Sequence, residues 1–260
     1  MAIKILKKQK IQESKQGLEF LQNEIRVHWA LEQCVSVLRL LRIYEDADLV
    51  CIVLEYQAKG SLMNVIMKHV KLEEQEVRVI MEQMLLALDF FERKKIVHRD
   101  IKLDNVLINS IEDKCDYEIR VADFGLASFN PTDDLLTHKC GSPGYVAPEI
   151  FRGQGYSYRA DMFSLGAVFF NLISGRYLFS GKDLQELLKR NIECETSTIK
   201  QFLMSNSPQC RDLMMWMIEA DPMDRPTPKQ ALKHPWFTQD KQILKDLLKI
   251  NNIICQENGK

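Results

Sequence analysis

The strongest constraint on the fold is a series of short motifs in a fixed order between residues 96 and 237. The series starts with IVHRDIKLDNVLIN at residues 96–109, and Asp123-Phe124-Gly125 follows 18 positions after Asn105. It continues with GSPGYVAPEI at residues 141–150, Asp161 in DMFSLG, Arg225 in DPMDRPT and ALKHPWF at residues 231–237. One tripeptide of this kind recurs by chance in unrelated chains. A whole series of motifs in this order indicates one domain that brings them together.

Hydrophobic periodicity predicts a small unit with strands at the start of the chain. AIKIL at residues 2–6 has the composition of a strand, and residues 18–31 carry apolar side chains at helical spacing. Two further strands are predicted at residues 35–44 and 49–56, joined by the polar EDAD, which suits a hairpin. The predicted order is strand, helix, strand, strand.

The rest of the chain has helical periodicity. Residues 73–93 form a long amphipathic pattern, and residues 161–174 and 208–220 have the same period. Residues 160–173 are apolar on nearly every face, which predicts a helix at the centre of the larger part. The fold class is therefore expected to be α+β.

Composition excludes several classes of protein. The 260 residues are 46% hydrophobic and 27% charged, with a net charge of −1, so no global field favours nucleic acid or a membrane surface. No apolar stretch approaches the ~18 residues of a membrane span, and the N-terminus has no signal-peptide pattern.

The seven cysteines are predicted to be reduced thiols. They are odd in number, lie far apart and do not have the spacing of zinc ligands. Free thiols are typical of a cytoplasmic or nuclear protein, so we expect a soluble chain in one of those compartments.

The motif series resembles the domain of eukaryotic-type Ser/Thr protein kinases, from residue 1 to about residue 237. This resemblance implies a two-lobed fold, with a small antiparallel-sheet N-lobe (incomplete) and a larger, mainly α C-lobe. The implied bounds are 1–54 for the N-lobe, 55–60 for the hinge, 61–237 for the C-lobe and 238–260 for a C-terminal helical tail. The tail could pack on the large lobe or begin a regulatory segment. KGSL, CGSPGYVAPEIF and ALKHPWF look most like the calcium/calmodulin-dependent kinase group, although no D-x-[DN]-x-[DN]-G calcium loop occurs.

The resemblance implies transfer of the γ-phosphoryl group of ATP to a Ser/Thr hydroxyl of a protein substrate. Such a site must hold donor and acceptor in line and neutralise charge on the moving group. Asp100 matches the aspartate that accepts or orients the substrate proton, and Lys102 matches the lysine near the γ-phosphate in Ser/Thr kinases. Asn105, the third catalytic residue, and Asp123 match the ligands of Mg²⁺, which prefers such hard oxygens.

Other positions match the nucleotide site of the family. Lys4 matches the lysine that contacts the α- and β-phosphates, and Glu24 matches its ion-pair partner, with Glu13 and Glu19 as other acidic residues nearby. The remaining expected contacts to the base are Ala2 and Leu107 above and below it, Leu54 at the gatekeeper position, and the backbone from Glu55 to Gln57.

Regulation and substrate docking are expected in the activation segment, residues 123–149. Arg99 is typical of kinases in which phosphorylation orders this segment, and Thr137 is the first candidate, followed by Thr132 and Ser128. The alternative is a segment that orders itself without phosphate.

Four more residues match docking or structural positions. Ser142 matches the substrate-docking loop, and Asp104 stands where basophilic relatives bind an arginine of the substrate. Glu149 and Arg225 match a buried structural ion pair.

One departure from the family pattern stands out. No G-x-G-x-x-G-x-V precedes Lys4, so the resemblance implies an N-terminally truncated sequence in which Met1 is an internal methionine. The alternative is a catalytically impaired pseudokinase that acts as a protein-binding module.

Overall fold

The computed structural model describes residues 1–13, 17–69, 71–111, 117–130, 135–197 and 199–238. The predicted tail helix beyond Thr238 and the candidate Thr132 lie outside these ranges. In the described part of the chain, none of the helices combines the length and apolar character needed to cross a membrane.

The small unit contains three strands and two helices among the described residues. They are β1 (Ala2–Lys7), α1 (Lys8–Glu13), α2 (Gly17–Ala30), β2 (Leu40–Glu45) and β3 (Leu49–Leu54). The strands form an antiparallel sheet in the order β1-β3-β2. Leu21 of α2 packs on Val50 and Ile52 of the central strand, which ties the helix to the sheet. The predicted strand-helix-strand-strand order is confirmed, with α1 as an added short helix.

The predicted hairpin between β2 and β3 is confirmed and has a local cause. The carboxylate of Asp46 accepts hydrogen bonds from the backbone N–H groups of Asp48 and Leu49, both at 2.8 Å. A side chain that bonds the backbone two residues ahead closes a tight turn.

The strand predicted at residues 35–44 was wrong in its first half, because β2 starts only at Leu40. Residues 36–38 pair with the larger part of the molecule instead. Leu38 N–H donates to the carbonyl of Val121 at 2.9 Å, and Val121 N–H donates to the carbonyl of Ser36 at 2.7 Å. The apolar residues of this stretch are buried by that contact, so their pattern looked like a continuous strand.

The larger part is mainly helical. Its elements are α3 (Leu62–His69), α4 (Glu74–Arg93), β4 (Ile96–Val97), a 3-10 turn (Leu103–Asn105), β5 (Val106–Ile111), β6 (Tyr117–Val121), β7 (Ser128–Phe129), α5 (Pro148–Phe151), α6 (Arg159–Ser174), α7 (Leu184–Glu193), α8 (Ile199–Phe202), α9 (Pro208–Met217), α10 (Pro228–Leu232) and α11 (Pro235–Thr238). A small antiparallel sheet beside a larger helical part confirms the α+β, two-lobed kinase-like class.

The helix α6 is the centre of the larger core, as its sequence predicts. Every residue from 160 to 173 is buried. The helix ends at Gly175, whose φ of 69° lies in the left-handed region that favours glycine at a helix C-terminus.

Two small two-stranded sheets place the polar motifs at one edge of this core. The strand β5 pairs with β6, and β4 pairs with β7, both antiparallel. The loop from β4 to β5 carries residues 98–105, and the loop from β6 to β7 carries residues 122–127. The pairing therefore brings the two motif loops side by side, and local sequence pattern predicted neither pair of strands.

Candidate active site

A lysine of β1 and a glutamate of α2 form an ion pair between the sheet and the helix. Lys4 Nζ lies 2.7 Å from Glu24 Oε1, and the glutamate side chain is only 9% exposed. A buried carboxylate needs such a partner, because desolvation of an unpaired charge is costly. Of the acidic residues considered, Glu24 is the one that meets Lys4.

Asp100, Lys102 and Ser142 form a closed triangle of hydrogen bonds. Lys102 Nζ donates to Asp100 Oδ2 at 2.7 Å and to Ser142 Oγ at 2.8 Å. The Ser142 hydroxyl donates to Asp100 Oδ1 at 2.7 Å. The loops predicted as the catalytic loop and the docking loop, 40 residues apart in sequence, thus meet at one carboxylate.

The environment keeps Asp100 ionised. Burial alone would raise its pKa, but the hydrogen bonds from Lys102 and Ser142 outweigh burial and hold the pKa below the ordinary 3.8. The carboxylate can therefore accept a proton or a hydrogen bond at neutral pH.

Asn105 and Asp123 are the candidate ligands of Mg²⁺. The Asn105 amide nitrogen donates to the backbone carbonyl of Asp100 at 2.9 Å and to its Oδ2 at 3.1 Å, which points the amide oxygen the other way. Asp123 is exposed and has a φ of 62°, a left-handed conformation that is uncommon for a residue other than glycine.

The donor set fits this ion. Mg²⁺ commonly takes one or two protein oxygens and completes its shell with phosphate and water. Within the described ranges, no group of three or more His, Cys, Asp or Glu side chains could form a metal cage without phosphate.

The buried helix α6 orients the catalytic loop through one carboxylate. Asp161 accepts hydrogen bonds from the backbone N–H groups of His98 at 2.7 Å and Arg99 at 2.9 Å. Arg99 has a φ of 69°, and these bonds hold that uncommon conformation. The signal in the sequence was Asp161 itself, a charged residue inside an apolar helix, but no site role was predicted for it.

The ring of His98 links the two motif loops, a role that was not predicted from the motifs. Asp100 N–H donates to its Nδ1 at 3.2 Å, so the hydrogen is on Nε2, which lies 3.3 Å from the carbonyl of Ala122. Burial lowers the pKa of His98, which favours this neutral form.

An aromatic cluster fixes the second motif loop. Phe124 is fully buried and contacts the rings of His28, Phe91 and His98 at centroid distances of 4.8, 5.8 and 5.0 Å. Since His28 belongs to α2, the cluster connects the ion-paired helix to the residue that follows Asp123.

The residues predicted around the nucleotide base lie on strands of both the small sheet and the larger part. Ala2 of β1 pairs with Leu54 of β3, and Leu107 lies on β5. The segment after β3, which is predicted to be the hinge, contains two buried polar atoms for which the described residues offer no hydrogen bond: Glu55 Oε2 and Gln57 Nε2. Unpartnered buried polar atoms mark a place where a water or a polar ligand would fit.

The candidate regulatory residues lie apart from one another. The Arg99 guanidinium donates to the backbone carbonyls of Leu126 at 2.5 Å and Ala127 at 3.5 Å. Thr137 is exposed, while Ser128 is half-buried in β7. Among the described residues, the hydrogen-bond partners of Arg99 therefore do not include Thr137, the first phosphorylation candidate.

The docking loop is fixed by the ion pair that the sequence predicted. Glu149 and Arg225 form two parallel hydrogen bonds of 2.7 and 2.8 Å and are almost completely buried. Asp104 is exposed beside the catalytic loop. A bidentate pair of this kind holds the end of the activation segment against the helical core.

Comparison with known proteins agrees with the resemblance seen in the motifs. The family model described as the protein kinase domain matches residues 1–237. The chain is 35% identical over 201 residues, 77% of its length, to the probable serine/threonine-protein kinase 2 of Plasmodium falciparum, of which it spans 39%. It is 32% identical over 246 residues, 94% of its length, to the probable serine/threonine-protein kinase MARK-A of Dictyostelium discoideum, of which it spans 22%.

A plant relative is similar to the same extent. The chain is 33% identical over 227 residues, 86% of its length, to the probable serine/threonine-protein kinase CCRP1 of Zea mays. It spans 35% of that protein, so all three curated relatives are much longer than the region they share with it. With the ion pair, the hydrogen-bonded triangle and the paired motif loops in place, and with a family model that matches residues 1–237, this chain belongs to the protein kinase domain family.

Proposed function

We propose that the chain transfers the γ-phosphoryl group of ATP to a Ser or Thr hydroxyl of a protein substrate. The observation that carries the proposal is the triangle of Asp100, Lys102 and Ser142. In it an ionised carboxylate already accepts a hydrogen bond from an aliphatic hydroxyl, the chemical group that a Ser or Thr substrate would present.

Each member of the triangle has a separate task in this proposal. Asp100 orients the substrate hydroxyl and accepts its proton, a contribution of typically ~10²–10⁴-fold in rate. The Lys102 ammonium, 2.7 Å from the Asp100 carboxylate, supplies positive charge where negative charge builds up on the transferred group. The Ser142 hydroxyl couples the docking loop to both.

The nucleotide would be held by residues of the small sheet and the motif loops. Lys4, fixed by Glu24, is the candidate partner of the α- and β-phosphates. Asn105 and Asp123 are the candidate ligands of Mg²⁺, which when bound neutralises charge on the phosphates. The proposed lobes are residues 1–54 and 61–237, with the hinge at 55–60 beside the base.

Two observations support Ser and Thr as the acceptor residues of the substrate. Lys102 stands two residues after Asp100, as in Ser/Thr kinases, and the three curated relatives are named probable serine/threonine-protein kinases. Similarity to the calcium/calmodulin-dependent group rests on KGSL, CGSPGYVAPEIF and ALKHPWF and is part of the proposal.

The test uses four peptides that differ only in the acceptor residue: Ser, Thr, Tyr or Ala. The 260-residue chain is incubated with Mg²⁺ and ATP, and the phosphorylated position is identified by mass spectrometry. We expect phosphate on the Ser and Thr peptides and none on the Tyr and Ala peptides. Phosphate on Tyr alone, or on no peptide, would overturn the proposed function.

A second candidate is a catalytically impaired protein-binding module. The observation that favours it is the outer face of β1, where Ile3 and Ile5 are 60% and 61% exposed. Large exposed apolar side chains on an edge strand are typical of surfaces that another polypeptide covers. The same peptide assay separates the two candidates, since a binding module would leave every acceptor unmodified.

A further inference from the structure

The buried phenol of Tyr156 lies where three segments of the site meet. Its hydroxyl donates to the backbone carbonyl of His138 at 2.7 Å and lies 3.4 Å from Arg99 Nη1. The thiol of Cys140 is 3.8 Å from the same oxygen. One hydroxyl therefore contacts the catalytic loop and two residues of the activation segment.

The backbone fixes the position of this phenol. Leu136 N–H donates to the carbonyl of Tyr156 at 2.8 Å, and Tyr156 N–H donates to the carbonyl of Leu136 at 2.9 Å. The pair forms an antiparallel bridge between the activation segment and the stretch before α6. Tyr156 is only 1% exposed, so its ring has little freedom to swing away.

The Tyr156 hydroxyl can bind the His138 carbonyl and the Arg99 guanidinium at the same time only while it keeps its proton. The hydroxyl then donates to one oxygen and accepts from one N–H donor. Burial raises the pKa of Tyr156 to about 12, while Arg99 acts against that rise. The group is therefore neutral at physiological pH.

Arg99 is held on more than one side by uncharged groups. Its guanidinium donates to the carbonyls of Leu126 and Ala127, and the side chain of Asn23 on α2 donates to the same Ala127 carbonyl at 2.6 Å. The Tyr156 hydroxyl, which comes from the stretch before α6, accepts a further hydrogen bond from Arg99. These groups are the oxygen acceptors that a guanidinium would otherwise find on a phosphate.

We propose that Tyr156 is a positioning residue that ties Arg99 to the activation segment, so that the catalytic loop is ordered without a phosphate on that segment. This inference rests on the proposed kinase function for its activity readout. The neutral Tyr156 hydroxyl takes the place of the phosphate group, and Thr137, which is exposed, is not needed to hold Arg99.

The first test measures order rather than catalysis. Tyr156→Phe removes only the hydroxyl, and hydrogen–deuterium exchange is followed in peptides covering residues 135–142. Tyr158→Phe is the matched control, because its hydroxyl also binds a backbone carbonyl, that of Asn130 at 3.2 Å, two residues away in sequence. We expect exchange in residues 135–142 to rise about tenfold in Tyr156→Phe and less than about twofold in Tyr158→Phe. Equal exchange in the two variants would overturn the inference.

The second test measures turnover of unphosphorylated protein, verified by mass spectrometry. Tyr156→Phe should lower kcat about tenfold and leave the KM for ATP within about twofold, because the hydroxyl acts through Arg99 and does not touch nucleotide. Arg99→Ala and the double variant complete a cycle. We expect the kcat of the double variant to be no lower than that of Arg99→Ala alone, since both changes break the same contact between Tyr156 and Arg99.

Three results would contradict the inference. The first is that the losses of kcat in Tyr156→Phe and Arg99→Ala multiply in the double variant. The second is an unchanged kcat in Tyr156→Phe. The third is that the kcat of the wild-type chain rises more than about tenfold when Thr137 is phosphorylated. If the wild-type chain transfers no phosphate at all, the proposed function fails, and the exchange measurement alone decides whether Tyr156 orders the segment.

Discussion

Among single residues, His28 is unusual because it is a titratable group buried in an aromatic cluster. It is 4% exposed, contacts Phe124, and its Nδ1 has no hydrogen-bond partner among the described residues. Burial lowers its pKa from 6.5 to about 4, with Lys4 and His98 acting in the same direction and Asp123 against it. The folded protein therefore holds this ring neutral.

A pH-dependent loss of stability follows from this residue. In the unfolded chain His28 binds a proton as the pH falls below 6.5, whereas in the folded chain it does so only near pH 4. The unfolded state therefore binds more protons between these two values, so the stability of the fold decreases as the pH falls through that window. Between pH 7.5 and pH 5 this contribution is about 2 kcal/mol. Urea unfolding of wild type and His28→Leu at both pH values measures it. The variant should lose about 2 kcal/mol less than wild type, and identical losses would contradict the assignment.

Residues were predictable from the sequence where a motif prescribes a chemical group. Asp100, Lys102 and Ser142 meet as their positions in the motifs indicate. Tyr156 and His28 were not predicted, because a tyrosine and a histidine at helical or loop positions look like ordinary core residues until their neighbours are known.

At the level of elements, the contact between α6 and α9 depends on a glycine. A Cβ at Gly166 would lie 2.6 Å from Ile218 Cγ2 and 3.1 Å from Met217 Cβ, at the end of α9. Contacts this short force the helices apart or the side chains out of their rotamers.

Gly166→Ala should therefore destabilise the protein by about 1–3 kcal/mol in spite of the higher helix propensity of alanine. Ser164→Ala on the same buried helix adds no volume and removes one hydrogen bond to Ala160, so it should cost about 1 kcal/mol or less. Thermal unfolding of both variants gives the comparison. A Gly166→Ala protein as stable as wild type would mean that the two helices can separate without loss.

Elements with a long periodic pattern were predictable, and those defined by distant pairing were not. The observed α4 and α6 differ from the predicted helices by at most two residues at each end. The stretch at residues 35–39 and the β4–β7 strand pair depend on partners more than 30 residues away. The partner is Val121 for the stretch and Phe129 for Ile96 of β4. Local pattern has no information about such partners.

For the whole molecule, the Glu149–Arg225 pair joins the end of the activation segment to the helical core. Both side chains are at most 2% exposed, so removing one leaves the other charge buried without a partner. Glu149→Gln should lower the free energy of unfolding by about 3–5 kcal/mol.

The control for this pair is an exposed one on α7. Glu193 lies 4.0 Å from Lys189, and both side chains are more than half exposed. Glu193→Gln should cost well under about 1 kcal/mol, because surface pairs are screened by solvent. Urea unfolding measures both variants, and equal costs would show that burial does not set the strength of the inner pair.

The central claim, that Asp100 is the group on which phosphoryl transfer depends, is tested most directly by single-turnover transfer from ATP to a Ser peptide. Asp100→Asn should lower the rate by about 10²–10⁴-fold, because an amide cannot take the proton. Asp48→Asn, at an exposed position in the β2–β3 hairpin, should leave the rate unchanged. An Asp100→Asn chain that transfers phosphate within about tenfold of wild type would contradict the account.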